Sequence, residues 1–178
     1  MTHEFIMAGF GGQGVMLMGQ LMSYAGMFDG KHVSWMPSYG PEMRGGTANC
    51  SVVVSDQPVA SPVVTEPTCA VVMNAPSLDK FAPTVVPGGC LLINSSLVTA
   101  DPGRDDVKVF KVPANEIANE LGNSRVANMV MLGAVAKATG AVPMERVEEA
   151  LAKKMPARHK HLLDTNLEAL RRGAACVE

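Results

Sequence analysis

Apolar residues in the first half of the chain fall in short unbroken runs bounded by glycine and proline, the pattern of buried strands. Glu4–Ala8 predicts the first strand and runs straight into a glycine cluster. Val15–Met27 predicts a helix. Its apolar positions (Val15, Met16, Leu17, Met18, Leu21, Met22, Ala25) cover more than one face, so burial on more than one side is expected. Gly26, Asp29 and Gly30 stop it. His32–Met36 predicts a second strand, closed by Pro37. The stretch 37–46, PSYGPEMRGG, holds Pro37, Gly40, Pro41, Gly45 and Gly46, and reads as neither helix nor central strand. Thr47–Ser55 predicts a strand suited to antiparallel pairing, and Gln57–Pro67, with three prolines, an extended connection. Cys69–Asn74, Cys90–Asn94 and Val107–Val112 predict further strands, with Ser77 capping a short helix through Phe81.

From Ala114 the period becomes helical. Helices are predicted at Asn115–Leu121, Val126–Thr139, Met144–Lys154 and Arg158–Arg172, the last with Leu162, Leu163, Leu167 and Leu170 inward. Pro143 suits the start of the third, and Glu149 and Lys153 form an i,i+4 pair on it. Strands first and helices last imply an α/β fold. The expected architecture is a single Rossmann-like domain over residues 1–178, with a mixed, mostly parallel sheet and a helical C-terminal part.

The 178 residues carry 15 Lys+Arg against 17 Asp+Glu, a net charge of -2. That excludes a generic electrostatic nucleic-acid binder and gives no support to a basic membrane-surface protein. Aromatic residues are only 4%, too few for base-stacking platforms. No apolar stretch reaches the roughly 18 residues that span a bilayer. Glu4 and the Gly9–Gly14 cluster interrupt any leader-like run, so a cytoplasmic protein is expected. Cys50, Cys69, Cys90 and Cys176 lie far apart, without the close spacing of a zinc or cluster site, so no metal is expected on this chain. The 13 methionines fit either an adaptable core or an adaptable contact surface. The Met-rich first helix and the Val126–Ala138 helix are the places where a partner interface is expected.

Gly9, Gly11 and Gly14 have G-x-G-x-x-G spacing, with Gly12 as an extra glycine, between a predicted strand and a predicted helix. Glycines let the backbone turn sharply and approach a ligand, and a helix start presents free N–H groups to an anion. A tightly packed turn that binds nothing is the alternative. A nicotinamide dinucleotide calls for an acid about 20 residues on, at the end of the second strand. Ser34-Trp35-Met36-Pro37-Ser38 stands there instead, which disfavours that cofactor and leaves other phosphate-bearing ligands open.

In Tyr39–Gly46, Gly40-Pro41 fixes a turn, Arg44 is a permanent cation, and Gly45-Gly46 frees the backbone around it. Arginine suits bidentate recognition of phosphate or carboxylate. Following the second strand, the segment is expected at the same sheet edge as the glycine loop, where open α/β sheets bind ligands. An Arg44–Glu42 pair that only pins the loop is the alternative, and Glu42 reads as a structural partner rather than a catalytic group. His159 and His161 point to different faces of a helix and read as solvated, and Arg171 and Arg172 as helix-end charges.

The run Ile6-Met7-Ala8-Gly9-Phe10-Gly11-Gly12-Gln13-Gly14-Val15 resembles the start of the γ subunit of 2-oxoacid:ferredoxin oxidoreductases. Ser38-Tyr39-Gly40-Pro41-Glu42-Met43-Arg44-Gly45-Gly46-Thr47 resembles that family's second signature. Val53-Val54-Ser55-Asp56, Ser61-Pro62, Lys80-Phe81 and Pro87-Gly88-Gly89 are also similar, and the likeness runs from about Glu4 to Gly140.

The resemblance implies a subunit that is inactive alone, with no catalytic residue of its own. In this family, thiamine diphosphate with Mg on partner chains decarboxylates a 2-oxoacid. Electrons leave through partner [4Fe-4S] clusters to ferredoxin, and coenzyme A takes the acyl group. The implied partners are α, β and δ subunits and, indirectly, ferredoxin. The γ domain is associated with coenzyme A, whose pyrophosphate and 3′-phosphate suit a glycine loop plus one arginine. Gly11, Gly12, Gln13 and Gly14 are then expected to contact it through backbone groups, and Arg44 to neutralise a phosphate or face the active site across a subunit boundary. Ser38, Tyr39, Gly40, Gly45, Gly46 and Thr47 complete the candidate set from the second signature. Asn94 and Ser95 join it from the end of the Cys90 strand. The residues before the second signature look most like chains acting on 2-oxoglutarate or branched-chain 2-oxoacids. A freestanding nucleotide-binding or scaffold domain is the alternative.

Overall fold

A computed structural model describes residues 1–40 and 46–177. Six strands, β1 (Thr2–Phe10), β2 (His32–Tyr39), β3 (Thr47–Ser55), β4 (Cys69–Val72), β5 (Cys90–Asn94) and β6 (Lys108–Val112), form one sheet in the order β2-β3-β1-β4-β5-β6. β3 is antiparallel to both of its neighbours, as the Thr47–Ser55 pattern suggested, while β1, β4, β5 and β6 pair in parallel. Every strand but β3 therefore runs the same way, and their carboxyl ends share one edge. The fold is α/β with a mixed sheet, as expected.

Because side chains alternate along a strand, the sheet buries two different sets. Phe5, Met7, Cys50, Val52 and Val71 face one side, under α1 (Val15–Phe28) and α4 (Ala127–Thr139). Ala70, Val72, Leu91 and Ile93 face the other, under α2 (Ala75–Phe81). The 57–67 connection closes that second side where Val64 packs with Ile6, Val53 and Phe81. α3 (Ala114–Glu120), α5 (Met144–Lys154) and α6 (Leu163–Ala175) stack outside α1 and α4.

β1 leads into α1 on one face, and β4 leads into α2 on the other. The crevice between β1 and β4 is thus the point where connections leave the sheet in opposite directions, the place where α/β sheets bind ligands.

Several boundaries differ from the pattern. β2 does not stop at Pro37 but continues to Tyr39, with Pro37 opposite Cys50. β2 is an edge strand paired only with β3, so a residue without an N–H is tolerated on it. The helix after β4 is capped by Asn74, whose side chain accepts from the Ser77 N–H at 2.9 Å, rather than by Ser77. The last predicted helix is two elements, a 3-10 stretch at Ala157–Leu162 and then α6.

α4 is not a free surface. All residues from Ala127 to Ala136 are buried within this chain, which removes it as a partner interface. Gly133 and Gly173 are the reason: α4 and α6 touch there so closely that a Cβ on either would overlap the other helix's backbone carbonyl, at Leu170 or Val130. Met7, Met18, Met22, Met73, Met129 and Met131 are fully buried, so these methionines build the core.

Candidate functional site

The glycine loop is set by β1 on one side and α1 on the other. Gly12 and Gly14 have φ of 95° and 77°, in the left-handed region that favours glycine. The turn closes with the Gln13 N–H donating to the Phe10 carbonyl at 3.1 Å. A Cβ on Gly14 would overlap the Asn128 side chain, whereas one on Gly12 meets none of the described residues. Gly14 is therefore needed for packing as well as for turning, and Gly12 lies where a ligand can approach the backbone.

Gln13 acts as a strut. Its Oε1 accepts from the Phe10 N–H at 2.6 Å, and its Nε2 donates to the Met73 carbonyl at 3.3 Å. The side chain thus spans the β1–β4 crevice over Gly9. This bridge is a tertiary fact that glycine spacing does not reveal.

The second signature meets the first at the sheet edge. The Gly11 N–H donates to the Gly46 carbonyl at 2.8 Å, and the Gly40 N–H to the Thr47 carbonyl at 2.8 Å. Thr47 stands opposite Phe10, and Ala48 opposite Tyr39. Arg44 and Gly45 lie outside the described residues, as do Pro41, Glu42 and Met43. Ser38 alternates to the opposite sheet face from Tyr39 and is directed away from α1.

With these bonds made, the loop's donors divide cleanly. The Gly11 and Gln13 N–H groups are taken by the fold. Those of Gly12, Gly14, Val15, Met16 and Leu17 find no acceptor among the described residues. Among the described residues α1 has no side-chain cap, and it has no acid in its first turn, so its own sequence leaves its positive end uncompensated.

Three hollows surround this helix start. One of about 510 Å³ is walled by the loop, Met16, Leu17 and Tyr39. Leu17 and Tyr39 are 45% and 50% exposed, an apolar lip beside the polar loop. A polar cavity of about 130 Å³ lies on the other side, between the loop and the start of α4. A groove of about 240 Å³ runs from Leu17 to Arg125, Lys154 and His159. Leu17 borders the first and third hollows, Gly12 the first and second, and Arg125 the second and third, so the three are neighbours sharing walls. The short 124–126 turn that carries Arg125 was not singled out from sequence, because only the tertiary fold brings it to the glycine loop.

Asn94 and Ser95 share the carboxyl edge but not the loop, since β4 separates their strand from β1. Asn94 is fully buried, and its Nδ2 donates to Asn115 Oδ1 at 2.8 Å while its Oδ1 accepts from the Ser96 N–H at 3.3 Å. It reaches the polar cavity only through Asn115, one of that cavity's wall residues.

Three of the four cysteines, Cys50, Cys69 and Cys90, are buried. Burial pushes the Cys50 thiol up to about 12, and its Sγ donates to the Val15 carbonyl at 3.4 Å. Cys69 and Cys90 face each other across β4 and β5. Burial raises the Cys69 thiol, while a hydrogen bond from it lowers Cys90. Among the described residues no three His, Cys, Asp or Glu side chains gather to hold a metal ion, and no helix is long and apolar enough to cross a membrane.

The family model for pyruvate ferredoxin/flavodoxin oxidoreductase matches residues 4–176. The chain is 44% identical over 169 residues to the ketoisovalerate oxidoreductase subunit VorA of Methanothermobacter thermautotrophicus, covering 94% of this chain. It spans only 35% of that relative's length. It is 36% identical to the 2-oxoglutarate synthase subunit KorC of Methanocaldococcus jannaschii, over 97% of this chain and 92% of that one. The crystal structure of a keto/oxoacid ferredoxin oxidoreductase γ subunit from Geobacter sulfurreducens superposes with a TM-score of 0.85 at 31% identity, covering 98% of both chains.

Proposed function

The chain belongs to the pyruvate ferredoxin/flavodoxin oxidoreductase family, and from that premise we propose that residues 1–178 are one γ-type domain of a 2-oxoacid:ferredoxin oxidoreductase. That enzyme oxidatively decarboxylates a 2-oxoacid, passing two electrons to ferredoxin and the acyl group to coenzyme A, with release of carbon dioxide. Thiamine diphosphate, Mg and [4Fe-4S] clusters belong to partner chains, which supply the carbanion chemistry and electron transfer. This chain's part is to bind coenzyme A and to make assembly contacts with α, β and δ subunits in the cytoplasm.

One observation carries the reading: the Gly11–Gly46 hydrogen bond joins both signatures around the uncapped start of α1. Free N–H groups at a helix start suit a diphosphate. The apolar lip of Met16, Leu17 and Tyr39 suits the pantetheine arm or the adenine. Gly12, Gly14, Tyr39, Gly40, Gly46 and Thr47 form the described part of the cradle, with Arg44 and Gly45 completing it. Ser38, Asn94 and Ser95 support the edge from further away.

A nicotinamide dinucleotide fits poorly. The place of the ribose-binding acid is the end of a strand beside β1, but β3 lies between β1 and β2, and β2 ends in Pro37-Ser38-Tyr39. The relatives named for ketoisovalerate and 2-oxoglutarate point to a branched-chain 2-oxoacid or 2-oxoglutarate as substrate.

Reconstitution tests the function. The purified chain should show no 2-oxoacid oxidation, and mixing it with the thiamine- and cluster-bearing partner chains should restore coenzyme A-dependent ferredoxin reduction. Full turnover by the chain alone, or unchanged turnover of the partners without it, contradicts the proposal.

A further inference from the structure

We propose that Cys90 and Cys69 form a reversible dithiol–disulfide pair, oxidised by a small hydroperoxide that enters a cavity of about 320 Å³ beside the first residues of β4 and β5. This is the amino edge of those strands, at the end of the sheet away from the glycine loop.

Register brings the two thiols together. Cys69 opens β4, Cys90 opens β5, and the two stand directly opposite each other on parallel strands. Facing residues of paired strands project to the same side of the sheet, and both cysteines pack into the core under α1 and α4. Hydrogen-bonded strands lie about 4.8 Å apart, inside the roughly 4.4–6.8 Å between Cα atoms that a disulfide spans. The two side chains run side by side, so closing the bond draws β4 and β5 slightly together. A disulfide made under such tension is readily reduced, which is the character of regulatory disulfides rather than structural ones.

The row continues into a cation. Lys108 opens β6 and stands opposite Cys90 on its other side. The cavity wall includes His3, Thr68, Gly88, Cys90 and Lys108, with no carboxylate among the described wall residues. A neighbouring ammonium favours the thiolate, the reactive form of cysteine. The hydrogen bond from Cys69 lowers the Cys90 thiol, burial opposes it, and the Lys108 charge adds to the lowering.

The Pro87-Gly88-Gly89 turn shapes the approach. Gly88 has a φ of 81°, and a Cβ there meets none of the described residues. A Cβ on Gly89 would overlap the Thr68 carbonyl, so the turn lies flat against the start of β4. Cys90 is in the cavity wall and 8% exposed, whereas Cys69 is wholly buried and is not a wall residue. The oxidant therefore meets Cys90 first. No third His, Cys, Asp or Glu joins the pair among the described residues, so the two thiols do not form a metal site.

The step balances with a hydroperoxide as the only co-reactant. The Cys90 thiolate attacks one peroxide oxygen. An S–O bond forms, the O–O bond breaks, and the leaving hydroxide takes up the proton that the Cys90 thiol gave away. The Cys69 sulfur then attacks the Cys90 sulfur. The S–S bond forms, the S–O bond breaks, and the departing hydroxide leaves as water with the Cys69 proton. The two sulfurs lose two electrons and the peroxide gains them.

The test adds hydrogen peroxide to the folded full chain in a Cys176→Ser background, which removes the exposed competing thiol. Peptides are then mapped without reduction. A Cys69–Cys90 linked peptide should appear, with Cys50 still reduced, and dithiothreitol should restore both thiols. In Cys69→Ala, Cys90 should stop at the sulfenic acid and be captured by dimedone. In Cys90→Ala, Cys69 should stay a thiol. The mapping of the chain with both cysteines present stands even where a variant folds poorly. Both cysteines remaining reduced, a link that forms only in urea, or Cys50 oxidising as fast as Cys90 overturns the proposal. So does oxidation of Cys69 at an undiminished rate in Cys90→Ala.

Discussion

The carbonyl of Gly46 accepts a 2.8 Å hydrogen bond from the N–H of Gly11, fastening the end of the second signature to the first turn of the glycine loop. The bond extends the β1–β3 ladder by one step beyond Phe10 and Thr47. It brings Gly46 to the loop without using the donors of Gly12 and Gly14. Amide exchange should reflect this division. In the free chain, the Gly11 amide should exchange slowly and those of Gly12 and Val15 fast, with coenzyme A slowing the latter pair. Fast exchange at Gly11 contradicts the docking of the two signatures.

Gly12 and Gly14 should respond differently to alanine. Both sit at positive φ, where a side chain costs about 1–2 kcal/mol. Gly14→Ala adds an overlap with Asn128, so it should lower stability in urea by more than that and disturb the start of α4. Gly12→Ala meets none of the described residues, so its main effect should be a loss of coenzyme A affinity, read by calorimetry. Equal stability losses for the two contradict the roles assigned.

Gly133→Ala and Gly173→Ala probe the fold away from the ligand face. Each introduces a methyl group onto a backbone carbonyl that can retreat only if α4 and α6 separate. Overpacking of this kind costs roughly 1–3 kcal/mol or more. Urea midpoints should fall clearly, while coenzyme A affinity of the folded fraction stays near that of the wild type. Unchanged midpoints would mean the helices are not in backbone contact.

Thiol labelling tests the burial pattern. Cys176 is exposed, whereas Cys50, Cys69 and Cys90 are buried, so maleimide should modify Cys176 first. Partial burial raises the Cys176 thiol above its ordinary value of 9.0. Its labelling rate should therefore keep rising with pH after that of a free thiol has levelled off. Early modification of Cys50, identified by peptide mapping, contradicts the packing of β3 beneath α1.

How much of this was legible follows from where the information resides. The glycine loop, α1 and the antiparallel β3 were readable because spacing, apolar runs and turn residues are local signals. Pro37 marks a strand end by local pattern, but its tolerance depends on β2 being an edge, a property of strand order. Either Asn74 or Ser77 suits a cap by residue type, and the proline of Asn-Ala-Pro-Ser favours Asn74, since proline is at home in a helix's first turn. Gln13 was expected to offer backbone groups, yet its N–H closes the turn and its side chain ties β1 to β4. Asn94 was placed at the right edge, but its burial beneath Asn115 is set by α3. Arg125 and the Gly133–Gly173 crossing depend on residues about 40 or more positions apart meeting in space, which no local pattern encodes.

The most direct test of the central claim, that the loop face of this chain binds coenzyme A, is an amide-resolved titration of the chain with coenzyme A and, separately, with NAD. Saturable shifts are expected at Gly12, Gly14, Val15 and Met16 with coenzyme A, and none of comparable size with NAD. Tight NAD binding at these amides, with coenzyme A leaving them in place, would contradict it.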